Sequence, residues 1–199
     1  MKIIGITGPT GAGKTTALNA LTSLGACVID ADAVYHRLLE ESLPMREALT
    51  ARFGDIGDGA GGIDRKKLGN VVFMDPAALA ELNVITHHFV GEAIDQLLTG
   101  AEESGCPAAA IDAIALIESG LGERCDAVVG VIAPVEVRIR RIMAREGISE
   151  EYARKRVSAQ KGEDFFRANC DYVLENTEDD TPETFGERAL VLFTEILDH

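Results

Sequence analysis

Residues 8–15 read Gly8-Pro9-Thr10-Gly11-Ala12-Gly13-Lys14-Thr15 and fill every specified position of the phosphate-binding pattern G-x-x-x-x-G-K-[ST]. The residue types suit that chemistry. Glycines let the backbone curl until successive N–H groups aim at one anion. A helix that starts there adds its positive end. The Lys14 ammonium can reach the β- and γ-phosphates of ATP, and the Thr15 hydroxyl can hold Mg²⁺. Gly8, Thr10, Gly11, Ala12, Gly13, Lys14, Thr15 and Thr16 are thus the candidate nucleotide contacts. The competing reading, a glycine-rich turn that binds nothing, is weakened by the flanks: an apolar run at 2–6 before and a helical pattern after.

Carboxylates form the second group. One apolar run ends in Ile29-Asp30-Ala31-Asp32, another in Ala110-Ile111-Asp112. In an open α/β sheet, ligands sit beyond the carboxyl ends of the strands, where the phosphate loop also lies. A carboxylate beside a phosphate repels it unless it holds Mg²⁺ or accepts a proton. Asp32 is placed to take the proton of an attacking hydroxyl, and Asp112 to support the metal side of the site. Alternatively, Asp30 or Asp32 caps the following helix.

Arginines form the third. Residues 138–167 hold nine of the 19 basic residues against five acidic ones, in a chain whose formal net charge is −14. Arg138, Arg141 and Arg145 recur at i, i+3 and i+7, one helix face. Guanidinium forks match phosphate oxygens, so this segment is expected to act as a lid that brings Arg141 and Arg145 to a transferring phosphoryl group. The other reading is a solvated face paired with Glu146, Glu150 and Glu151, and Arg138 and Arg140 fit either.

The elements that must position these groups are legible as short apolar runs alternating with helical patterns, the mark of a parallel α/β sheet. Strands are expected at 2–6, 26–29, 108–112, 127–132 and 171–174, and helices at 14–24, 32–41, 44–53, 64–73, 76–99, 134–146, 149–161 and 182–197. Asp75-Pro76 and Thr181-Pro182 mark helix starts, as does Ser149 before Glu150-Glu151. The stretch 33–100 has no convincing strand and reads as a helical insertion, and Gly54–Gly62 reads as a mobile loop.

Bulk properties narrow the class. With 199 residues, 46% hydrophobic and 26% charged, the chain is of ordinary globular composition. Its acidity argues against nucleic acid and acidic membrane surfaces as partners. Cys27, Cys106, Cys125 and Cys170 are scattered, so structural zinc and a disulfide framework are not expected and a reducing cytoplasm fits. The N-terminus shows no signal-peptide pattern, and no apolar run approaches membrane-span length.

Taken together, these motifs resemble the dephospho-coenzyme A kinases over nearly the whole chain. The resemblance is carried by Gly8 to Thr16, Val28-Ile29-Asp30-Ala31-Asp32, Ile63-Asp64-Arg65-Lys66-Lys67-Leu68, Val72-Phe73 and Leu82-Asn83-Val84-Ile85-Thr86-His87. It continues through Ile117-Glu118-Ser119-Gly120-Leu121, Arg141, Arg145, Gln160 and Ala168 to Asn176. It implies a P-loop NTPase-type α/β fold: a parallel sheet flanked by helices, a helical substrate domain inserted at about 33–100, and a lid at about 138–167. It further implies ATP with Mg²⁺ as donor and the ribose 3′-hydroxyl of dephospho-coenzyme A as acceptor. Asp32 then maps to the base, Arg141 and Arg145 to the lid, Asn176 to the adenine side, and Arg65, His87 and Asp112 to the substrate side. This chain departs from the family pattern at His88, where proline is usual, at Ile114-Ala115-Leu116, and at Arg138, where glutamine is common.

Overall fold

A computed structural model describes residues 1–59 and 61–198. Ala60, within the loop expected to be mobile, and His199 lie outside the described residues. In chain order the elements are β1 (Lys2–Thr7), α1 (Lys14–Ser23), β2 (Cys27–Asp30), α2 (Ala31–Glu41), α3 (Leu43–Phe53), α4 (Arg65–Val72) and α5 (Pro76–Glu103). There follow β3 (Ala108–Asp112), a 3-10 turn (Leu121–Arg124), β4 (Ala127–Ile132), α6 (Val135–Glu146), α7 (Glu150–Ser158), α8 (Glu163–Asn169), β5 (Tyr172–Glu175) and α9 (Pro182–Asp198).

The strands form one sheet in the order β2-β3-β1-β4-β5. β1 pairs in parallel with β3 and β4, and β4 with β5. Strands covered on both faces must be apolar throughout, and β4 is buried at all six positions. Helices α1 and α9 contribute Ala17, Leu21, Phe185 and Phe193 to one core with Ile4, Ile6, Val129 and Val131. This is the P-loop NTPase-type parallel sheet that the motifs implied.

The chain divides into two compact units, residues 1–29 with 100–199, and residues 30–99. The second has its own core of Leu39, Met45, Leu49, Phe53, Ile56, Leu68 and Val72. Side-chain caps start its helices. Asp30 accepts from the Ala33 amide at 2.9 Å, Asp64 from Lys66 at 2.9 Å and Asp75 from Ala77 at 2.9 Å.

Local differences from the sequence reading have physical causes. The helix expected to reach 161 stops at Ser158; Gln160, just past it, keeps a backbone bond to Val157 O at 3.2 Å while its side chain bonds the phosphate loop. α8 was not anticipated; it is a single short piece whose Phe166 packs under β4. The last strand begins one residue late because the Asp171 carboxylate accepts the Val128 amide at 2.8 Å ahead of the ladder. Where no disulfide framework was expected, one bridge is present. Cys27 and Cys106, 79 residues apart, form a disulfide because neighbouring β2 and β3 bring their Cα atoms to 6.1 Å. Sequence spacing cannot show that juxtaposition.

Candidate active site

The phosphate loop runs from the end of β1 to the start of α1, and its carbonyls are engaged both from within the loop and from outside. Lys14 Nζ donates to Gly8 O at 3.1 Å and the Ala12 amide to Pro9 O at 3.2 Å. Arg138 Nε donates to Thr10 O at 3.0 Å, Arg141 Nη1 to Gly11 O at 3.4 Å, and Asn176 Nδ2 to Ala12 O at 2.9 Å. Gly13 O accepts the first helical bonds, from Thr16 and Ala17. The backbone curls as in an anion nest, with the Thr10 amide engaged by Gln160 and the Ala12 amide by Pro9 O. Two glycines are obligatory. At Gly8 (φ 143°) a Cβ would strike the Val131 carbonyl, and at Gly13 (φ 110°) it would collide with the Asn176 amide.

The loop floors a cleft of about 270 Å³ through Thr10, Gly11, Gly13, Lys14 and Thr15, with Ile114, Arg141 and Arg145 as walls. Arg141 is half-buried on α6, and its Nη2 donates to Asn176 Oδ1 at 2.9 Å. Burial pulls its pKa below the ordinary arginine value, partly opposed by the Asp180 carboxylate. Arg145, one turn on, is more exposed and its guanidinium donates to Glu146 at 2.6 Å. The three spaced arginines therefore differ in burial, because the face they share runs from the loop outward to solvent. Arg138 is 3% exposed and touches the loop rather than lining the cleft. Arg140 faces solvent and pairs with Glu178 at 2.6 Å.

A second cleft, also of about 270 Å³, is lined by Gly13, Thr16, Arg141, Asn176, Asp180 and Pro182. Asn176, 5% exposed, spends its amide on Ala12 and Arg141. Asp180 Oδ2 accepts from the Thr177 amide at 2.7 Å, the Thr177 hydroxyl at 2.8 Å and Arg188 at 2.6 Å. Asp180 and Arg188 were not singled out from sequence, and only their opposite charge eight residues apart hinted at the pair. Asp112 ends β3, its Cα in register with Ile6 of β1, just before the loop.

Asp32, Arg65 and His87 belong to the helical unit. Asp32 lies in the first turn of α2 and is exposed, while Asp30, and not Asp32, performs the capping. Arg65 approaches Glu40 at 3.4 Å and faces Tyr35, whose phenol burial holds above its usual pKa against the pull of Arg65. His87 is half-buried in α5, and burial lowers its pKa from 6.5.

Comparison with known proteins agrees with this geometry. Residues 2–181 match the family model described as dephospho-CoA kinase. A dephospho-CoA kinase of Thermobifida fusca is 34% identical over 194 residues, covering 97% of this chain and 95% of the relative. A crystal structure of a Thermus thermophilus protein superposes with a TM-score of 0.81 at 35% identity, covering 98% and 97% of the two chains. A dephospho-CoA kinase from Campylobacter jejuni superposes at 0.70 with 26% identity, covering 100% and 98%. The chain belongs to the dephospho-CoA kinase family.

Proposed function

We propose that this enzyme transfers the γ-phosphoryl group of ATP to the ribose 3′-hydroxyl of dephospho-coenzyme A, giving coenzyme A and ADP. The observation that carries the reading is the phosphate loop, whose carbonyls are engaged by Lys14, Arg138, Arg141 and Asn176, in a chain of this family. The acceptor oxygen forms a bond to the γ-phosphorus as the bond to the β–γ bridging oxygen breaks, and ADP departs with that oxygen. Asp32 takes the hydroxyl proton; exposed and carrying no capping bond, its carboxylate is available for that role. Loop amides and Lys14 hold the triphosphate. Arg141 and Arg145 meet the charge that spreads over the transferring oxygens.

Mg²⁺ fits the oxygen donors present. The Thr15 hydroxyl would hold it, with Asp112 at the neighbouring strand end supporting its shell, and bound there it would neutralise phosphate charge. The second cleft, where Asn176 and Thr16 meet, is the adenine side of this reading. Arg65 and His87 of the helical unit serve the acceptor, residues 138–167 form the lid, and the reaction is cytoplasmic.

Ile114 gives one reason to weigh a different acceptor. It lines the cleft beside Arg141, and it opens the Ile114-Ala115-Leu116 segment where this chain departs from its family. A coupled ADP-release assay over a panel of nucleosides, nucleotides and dephospho-coenzyme A decides the matter. Turnover on dephospho-coenzyme A at least tenfold above every other acceptor is expected, and preference for another acceptor would overturn the assignment.

A further inference from the structure

Arg138 is an anomaly among the arginines of this chain. Its side chain is 3% exposed, and ordinary arginines reach that burial only when their donors are satisfied. Here the phosphate loop and one side-chain amide engage two of them. Nε donates to Thr10 O at 3.0 Å and Nη2 to Gln160 Oε1 at 2.7 Å. The same Gln160 oxygen accepts the Thr10 amide at 3.1 Å, and Gln160 Nε2 donates to the Thr10 hydroxyl at 2.9 Å. Four hydrogen bonds thus tie Thr10, Arg138 and Gln160 into one closed set. The set has a single sense. Flipping the Gln160 amide would point its NH₂ at the Arg138 guanidinium and the Thr10 N–H, donor against donor. Arg138 therefore dictates how Gln160 is turned, and Gln160 in turn fixes the amide and hydroxyl of Thr10.

Glycines 8, 11 and 13 all have positive φ, so the loop backbone itself supplies little stiffness. Its shape must be imposed from outside, and Thr10 is the residue where most outside bonds converge. Arg138 lines a separate cavity of about 380 Å³ with Ile139, Val157 and Lys161 and so can act on a bound triphosphate only through the loop. Glu163 acts on its charge, and burial lowers its pKa.

We propose that Arg138, with Gln160, is a positioning residue of phosphoryl transfer, which presets the Thr10 segment of the phosphate loop for the triphosphate and couples that loop to the α6–α7 lid segment. The proposal deepens the kinase reading and rests on it for the transfer step, but the part concerning triphosphate binding does not depend on the acceptor.

The test compares Arg138→Met, Arg138→Gln and Gln160→Ala with the wild type in two measurements. Calorimetry gives the Kd for Mg-ATP without acceptor, and steady-state kinetics gives kcat with a separate KM for each substrate. Arg138→Met is expected to weaken Mg-ATP about tenfold or more, the size of one lost charge-assisted hydrogen bond, and to leave the acceptor KM within about twofold. Arg138→Gln restores an amide donor without the charge and should recover part of the affinity. Gln160→Ala should weaken Mg-ATP similarly, and the Arg138→Met/Gln160→Ala double variant should lose little beyond either single, as members of one network do. Unchanged Mg-ATP affinity in folded variants, equal losses for both substrates, or additive losses in the double variant would each overturn the proposal. If Arg138→Met does not fold, the partly exposed Gln160→Ala and Thr10→Val carry the same comparison. Wild-type silence on dephospho-coenzyme A would sink the acceptor assignment and leave these binding results to stand or fall separately.

Discussion

Replacing Arg141 by alanine should separate what this side chain does for the fold from what it does for the reaction. In the folded protein it makes one good hydrogen bond, to Asn176 at 2.9 Å, and one long one, to Gly11 O at 3.4 Å. Half-exposed, such contacts are worth about 1–2 kcal/mol together. For a domain of this size that corresponds to roughly 2–4 °C of Tm per kcal/mol. The proposed transition-state role is larger. An arginine on a transferring phosphoryl group is worth roughly 10³-fold or more in kcat, about 4 kcal/mol. Asn176→Ala provides the contrast. It strips the same anchor from Arg141 and also leaves the buried Ala12 carbonyl without its donor, a cost of about 1–3 kcal/mol, yet the guanidinium stays in the cleft. Asn176→Ala should therefore melt at or below Arg141→Ala while keeping the higher kcat. Arg141→Lys should recover only part of the rate, since an ammonium keeps the charge and loses the fork. Scanning calorimetry and kcat at saturating ATP and dephospho-coenzyme A settle the order. If kcat losses simply track Tm losses, or if Arg141→Ala turns over within threefold of wild type, the lid arginine is a structural residue and the reasoning fails.

Asp32→Asn should lower kcat by about 10²–10⁴ with Mg-ATP affinity intact, as loss of a general base does. Asp30→Ala should do the reverse, keeping kcat and losing about 1 kcal/mol of stability with the α2 cap; equal kinetic damage in both variants would leave Asp32 without its role. His87 adds a pH dependence. Its pKa is lowered by burial, so the unfolded chain binds the proton more readily, and stability present above pH 6.5 is lost progressively as pH falls below 6.5 toward the lower folded pKa. Tm measured from pH 7.5 to 5.5 should drop less in His87→Gln than in wild type, and parallel curves would show that His87 is not the group responsible. Burial pushes the Cys125 thiol up to about 12 and Cys170 to about 11, so both should resist iodoacetamide at pH 7.5 until the protein is unfolded. Non-reducing peptide mapping of the same samples should recover Cys27 joined to Cys106, and free thiols at both would contradict the bridge.

Most of the first unit could be read from the chain alone. A parallel strand buried on both faces has to be a continuous apolar run, so β1, β3 and β4 stand out, and β3 and β4 fall on the residues expected. The phosphate loop is equally local: its glycines, lysine and threonine are contiguous, and their backbone conformation is the motif. Helix starts were legible wherever a capping side chain lies within three residues, as at Asp75, Ser149 and Thr181.

What depended on tertiary structure involves partners far apart in sequence. Arg138 looked interchangeable with Arg140 on paper. Folding sends one under the phosphate loop, 128 residues away, and leaves the other in solvent on Glu178. Gln160 lay near the end of a helical pattern, and only the fold brings its side chain to Thr10, 150 residues away. Asn176 owes its hold on Ala12 and Arg141 to β5 running beside β4, which no local pattern encodes. The anion cradle and the sheet beneath it were legible locally, because a turn and an apolar strand are written in neighbouring residues. Only the fold decided which arginine is buried, which cysteines meet and what stiffens the loop. Those outcomes follow from where distant segments converge, and convergence is a property of packing.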